Sequence, residues 1–80
     1  MFGWPYTSIR NIAKKCGFRR YHVNDYYMIY VNQNRVVVLI DARGVQISKD
    51  GELIEEVNFS ELNEPLSVAL DSIFMRASTY

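Results

Sequence analysis

One stretch limits the folds open to this chain more than any other. It runs from Tyr26 to Phe59 and reads YYMIYVNQNRVVVLIDARGVQISKDGELIEEVNF. Three turn signals cut it: Asn32-Gln33-Asn34, Asp41-Ala42-Arg43-Gly44 and Lys49-Asp50-Gly51. Connections this short cannot carry a crossover, so the strands they join must be antiparallel neighbours, and the stretch reads as a four-stranded meander. In the last two turns an Asp, or a residue beside one, starts a type I turn and Gly takes the left-handed position that a Cβ disfavours. Asn34 is expected to play that part in the first turn, since Asn tolerates positive φ.

The strands differ in pattern. Val36 to Ile40 is apolar without a break, which predicts a central strand largely buried on both faces. A carboxylate placed at Val37 is therefore expected to unfold the domain. Val45 and Ile47, then Leu53, Glu55 and Val57, follow the alternation of strands with one wet face. The first strand has two aromatic-rich faces, Tyr26, Met28 and Tyr30 on one and Tyr27, Ile29 and Val31 on the other. The tyrosine hydroxyls favour water or a polar partner, so one of these faces is expected to be at least half exposed.

The flanks read as helices. Ile9, Ile12, Ala13 and Cys16 recur at helical spacing, Thr7 or Ser8 can cap the start, and Gly17 is placed to stop it, which predicts a helix over 7–17. Residues 1–6, MFGWPY, are broken by Gly and Pro and read as an aromatic arm that packs Phe2 and Trp4 onto the domain or onto a partner. Residues 18–25 show no clear period and read as a connector. Leu62, Leu66, Ala69, Leu70, Ile73 and Ala77 predict a second helix over 61–77, capped by Ser60 or Asn63, with Pro65 in its first turn. The expected fold is a single α+β domain: helix, four-stranded antiparallel meander, helix, with both helices on one sheet face.

The lone cysteine, Cys16, fits a reducing compartment better than a disulfide scaffold. No secretory leader pattern opens the sequence and no apolar run is long enough to cross a bilayer, so the expected location is cytoplasmic, away from membranes. The net charge is zero but unevenly spread. Residues 1–43 carry seven cations and two anions, and residues 44–80 carry two cations and seven anions.

No catalytic set stands out. A cysteine nucleophile needs an exposed thiolate beside its base, whereas Cys16 lies on the apolar stripe and His22 in the connector. One His and one Cys do not make a metal site, and Glu55 and Glu56 are neighbours on a strand that point to opposite faces. No cofactor and no metal are expected, and the chain reads as a binding protein and not an enzyme. Arg10, Lys14, Lys15, Arg19 and Arg20 lie close together among aromatics that include Tyr21, Tyr26 and Tyr27. These residues are the expected partner surface, because such fields steer association.

A protein partner is the first reading. Nucleic acid is the alternative, since cations meet phosphates and aromatics stack on bases. A homodimer is left open. The order helix, strands, helix resembles the double-stranded-RNA-binding domain, but SELNEPL is acidic where that family is basic. IRNIAKKCGF resembles the first helix and turn of an arabinose-operon-type helix-turn-helix regulator, but the sequence then turns to strand. In size and lack of a catalytic set the chain resembles the small inhibitors and accessory proteins of phages and mobile elements, a likeness of class that no motif carries.

Overall fold

The computed structural model describes residues 6–80. The order is α1 (Tyr6–Lys15), β1 (Arg19–Val23), β2 (Tyr27–Val31), β3 (Val36–Asp41), β4 (Gly44–Lys49), β5 (Glu52–Asn58), a 3-10 turn (Phe59–Glu61) and α2 (Leu66–Ala77). The strands form one antiparallel sheet in sequence order, β1-β2-β3-β4-β5. The α+β architecture and the two helices are as expected, and the strand count is five rather than four. The extra strand is the connector. RRYHV lacks alternation because β1 is an edge strand with four of its five residues exposed, so burial never sorted its side chains. Of the expected arm, Tyr6 opens α1 and the remainder lies outside the described residues.

α1 stops where Gly17 adopts φ 87°. The Phe18 amide donates to the Ala13 carbonyl at 2.8 Å and the Gly17 amide to the Lys14 carbonyl at 3.1 Å. This is the Schellman pair, and Phe18 then turns inward to 3% exposure. The chain leaves this cap directly into β1.

The core lies between the helices and one face of the sheet. Ile9, Ala13, Phe18, Leu70, Ile73, Phe74 and Ala77 pack against Met28, Tyr30, Val36, Val38, Ile40, Val45 and Ile47. Phe74 sits at its centre, edge-on to both Phe18 and Tyr30 with centroids 5.4 and 5.7 Å away. Val36–Asp41 alternates buried and half-buried, so the unbroken apolar run does not mean burial on both faces. Val38 is the core residue, and Val37 points away from the helices.

The turns depart from expectation in detail. In the first, the positive φ falls on Arg35 (64°) and not on Asn34. Asn32 Oδ1 accepts the Asn34 and Val36 amides at 2.9 and 3.0 Å and so folds the loop from its start. In the second, Asp41 Oδ1 accepts the Arg43 and Gly44 amides, and Gly44 is required for space: a Cβ there would sit 1.8 Å from the Val57 carbonyl oxygen. In the third, Asp50 (φ 53°) and Gly51 (φ 82°) are both left-handed between the paired Lys49 and Glu52. That is a two-residue I′ loop, whose twist matches the strands it joins, and not a type I turn.

α2 begins at Leu66, with Pro65 as its N-cap at ψ 147°, later than the expected start at residue 61. Proline disfavours helical backbone in the residue before it, so no helix continues through Glu64 into Pro65. Glu61 and Glu64 therefore precede α2, and neither Ser60 nor Asn63 caps it. The C-terminal end is clasped to the sheet. Arg76 donates to Glu55 Oε2 at 2.6 and 3.2 Å, the Tyr80 hydroxyl donates to Glu55 Oε1 at 2.7 Å, and Lys49 Nζ donates to the Tyr80 carbonyl. These donors hold the Glu55 carboxyl below the usual carboxylate range, Arg76 first and Tyr80 second. No helix among the described residues is long and apolar enough to cross a membrane.

Candidate binding surface

With both helices on one side, no element among the described residues covers the other face of the sheet. Strand alternation and register fix its residues. Tyr27, Ile29 and Val31 of β2 lie beside Asp41, Leu39 and Val37 of β3. Gln46 and Ser48 of β4 follow, then Glu56 and Leu53 of β5. On the far side, Arg19 pairs with Val31 and His22 with Ile29. The face therefore has an aliphatic centre of Ile29, Val31, Val37 and Leu39, all only half-buried. Arg19 and His22 border it along β1, and Glu56 borders it along β5, where Gln46 Nε2 donates to its carboxylate at 2.9 Å. Leu53 stands 53% exposed at that border.

One corner of the face is built by Asn24. Its Oδ1 accepts the Tyr26 and Tyr27 amides at 2.8 and 2.9 Å. This Asx turn throws Tyr26 outward to 79% exposure and delivers Tyr27 onto the face. The oxygen being so used, the Asn24 amide nitrogen is the one 3.3 Å from His22 Nε2. The His22 and Tyr27 rings meet at 5.6 Å. Tyr26, Tyr27, Ile29, Leu39 and Asp41 line a shallow apolar hollow beside this corner.

The expected partner residues divide between the two sides of the sheet. Arg19 and Tyr27 share the uncovered face. Tyr21, 72% exposed, occupies the irregularity between Arg20 and His22, and Tyr26 projects from the neighbouring turn. Arg20 pairs with Tyr30 and so lies on the helix side, where it lines a small hollow with Thr7, Arg10, Val23 and Tyr30. Lys14 and Lys15 are on exposed parts of α1, and Lys15 bridges to Asp71 of α2 at 2.7 Å. The five cations thus do not make one stripe. An open face on β2 was expected, without a choice between its two sides; Val37 and Leu39 were missed as surface residues because the unbroken run Val36 to Ile40 reads as buried.

Cys16 and His22 are not brought together. Cys16 packs against the core under the helices, where burial raises its thiol pKa, and His22 lies on the opposite face. Among the described residues no three His, Cys, Asp or Glu side chains converge as a metal site. Comparison with protein-family models, with curated proteins and with solved structures gives no match.

Proposed function

We propose that the chain is a protein-binding module without chemistry of its own, and that it binds through the uncovered face of its sheet. The observation that carries this reading is the aliphatic centre of that face, Ile29, Val31, Val37 and Leu39, which no element among the described residues covers, since both helices pack on the other side. A contiguous apolar patch with a polar border is the anatomy of a protein interface. Two further features favour the face over the sheet edges. β1 carries Arg19, Arg20 and a register irregularity, and β5 carries another between its pairings with Ile47 and Ser48. Charged and irregular edges resist the addition of a further strand.

The test is photo-crosslinking in the native cell, with a benzophenone side chain at Val37 or Leu39 and, as control, at Val68 on the exposed side of α2. The reading expects one defined protein to be captured from both face positions and not from Val68. Capture from Val68 alone would sink it.

The exposed Tyr21 on the cationic strand β1, with the exposed Tyr26 in the turn that follows it, favours a second reading, a single-stranded nucleic-acid surface. A gel shift that fades steeply with salt and is lost in the Tyr21→Ala/Tyr26→Ala variant would replace the first reading with the second.

A further inference from the structure

We propose that the occupant of the uncovered face is a second copy of this chain, packed sheet against sheet about a two-fold axis running along β3. The inference rests on the reading above, that this face binds protein, and it goes on to name the protein. What points to it is self-complementarity. The face has a basic border, Arg19 with the His22 imidazole on the same strand, β1, and an acidic border, Glu56, on β5. These are the two opposite edges of the sheet.

Two faces can be related by a two-fold axis lying between them either across the strands or along them. An axis across the strands lays β1 on the partner's β1 and β5 on the partner's β5, so borders of like charge face each other. An axis along β3 lays β1 on the partner's β5. Register then fixes the rest. His22, Ile29, Leu39, Gln46 and Glu56 form one row across the sheet. In the second arrangement that row faces its own reverse. Glu56 of the partner subunit comes over His22, Arg19 stands one row away, about 7 Å along the strand, and Leu39 packs on its own symmetry mate. Val37 does the same in the adjoining row, Asp41 meets its own mate in the row on the other side, where its carboxylate already accepts the Arg43 and Gly44 amides, and the exposed Leu53 covers the stem of Arg19. Both copies gain the same contact twice, as an isologous interface requires.

The area is that of a weak dimer. Five strands at about 4.8 Å spacing and five residues at about 3.3 Å rise make a face of about 24 by 17 Å. Two such faces remove about 800 Å² of flat area, and more once side-chain relief is counted, which approaches the ~1,000 Å² that a specific interface needs. The expected affinity is therefore in the micromolar range.

The experiment is sedimentation equilibrium on the full chain across the micromolar range. The expected mass rises with concentration from 9.4 kDa to twice that value. Leu39→Lys stays monomeric while keeping the wild-type circular dichroism spectrum. Arg19→Glu and Glu56→Arg each weaken the dimer roughly tenfold. Their equimolar mixture restores it, because in the mixed pair every acidic border meets a basic one.

Wild-type protein that stays monomeric throughout overturns the second copy and leaves the protein-binding face to the crosslinking result. A dimer that survives Leu39→Lys uses another surface and overturns this proposal together with the use of the face. A dimer dispersed by Leu39→Lys but not restored by the mixture overturns the two-fold along β3.

Discussion

Two adjacent valines separate the core face from the uncovered face, and one substitution moved by a single position tests the whole assignment. Val38 is 0% exposed beneath the helices, and Val37 is half-buried on the other side. Val38→Asp forfeits about 2 kcal/mol of apolar burial. The carboxyl would stay neutral rather than enter the core charged, and at neutral pH holding it so costs about 4 kcal/mol, three pK units above its ordinary value. The sum, about 6 kcal/mol, is comparable to the whole stability of a domain this size, about 4 to 12 kcal/mol. Val37→Asp keeps its charge in water and loses part of one side chain's burial, about 1 kcal/mol. Urea and thermal melts followed by circular dichroism, at low protein concentration and neutral pH, should therefore show Val38→Asp largely unfolded and Val37→Asp folded with a slightly lower midpoint. Near pH 4 the ionisation part of the cost falls away, so Val38→Asp should regain structure. If Val37→Asp unfolds while Val38→Asp melts like the wild type, the two faces are misassigned and the candidate surface with them.

Other perturbations have equally definite outcomes. Glu55 is held below its ordinary pKa by Arg76 and Tyr80, so its contribution to stability is fully present above the unfolded carboxylate value and is lost as pH falls through the folded one. Urea midpoints measured down a pH series should fall more steeply for the wild type than for Glu55→Gln over that acid window. Gly44→Ala drives a Cβ into the Val57 carbonyl and should cost about 3 kcal/mol. Gly17→Ala meets no atom but keeps a φ of 87° and should cost about 1 kcal/mol; thermal melts that reverse this order would refute the close approach of β4 to β5. Burial raises the Cys16 thiol pKa, so alkylation by iodoacetamide near neutral pH should run well below the rate of a free thiol, and Cys16→Ser should melt only slightly lower. A Cys16 that reacts faster than a model thiol would place it in solvent.

The elements of this protein were legible where local chemistry acts alone. The short loops after Val31, Asp41 and Lys49 forced antiparallel neighbours, and Gly17 stopped α1 because a left-handed cap suits glycine. The apolar stripe Leu66, Ala69, Leu70, Ile73 and Ala77 is set by helical period. Glu55 and Glu56 were bound to part company because strand geometry alternates. Pro65 also carried the true start of α2, through its effect on Glu64, but the apolar Leu62 upstream masked it.

What tertiary structure decided was which faces meet. RRYHV became β1 only because the Phe18 turn brings it alongside β2; nothing in five mostly exposed residues favours a strand by itself. Val36 to Ile40 reads as one apolar run, and only the placement of both helices on a single side divides it into core and surface. The charge halves of the sequence were visible, but their meaning was not. Lys15 is tied to Asp71 and Glu55 to Arg76 across long separations, which leaves Arg19 and Glu56 at opposite edges of the uncovered face. Sequence fixes a residue's type and its local backbone preference. The neighbour that neutralises a charge, or the layer that covers a side chain, is supplied by packing between segments far apart in the chain.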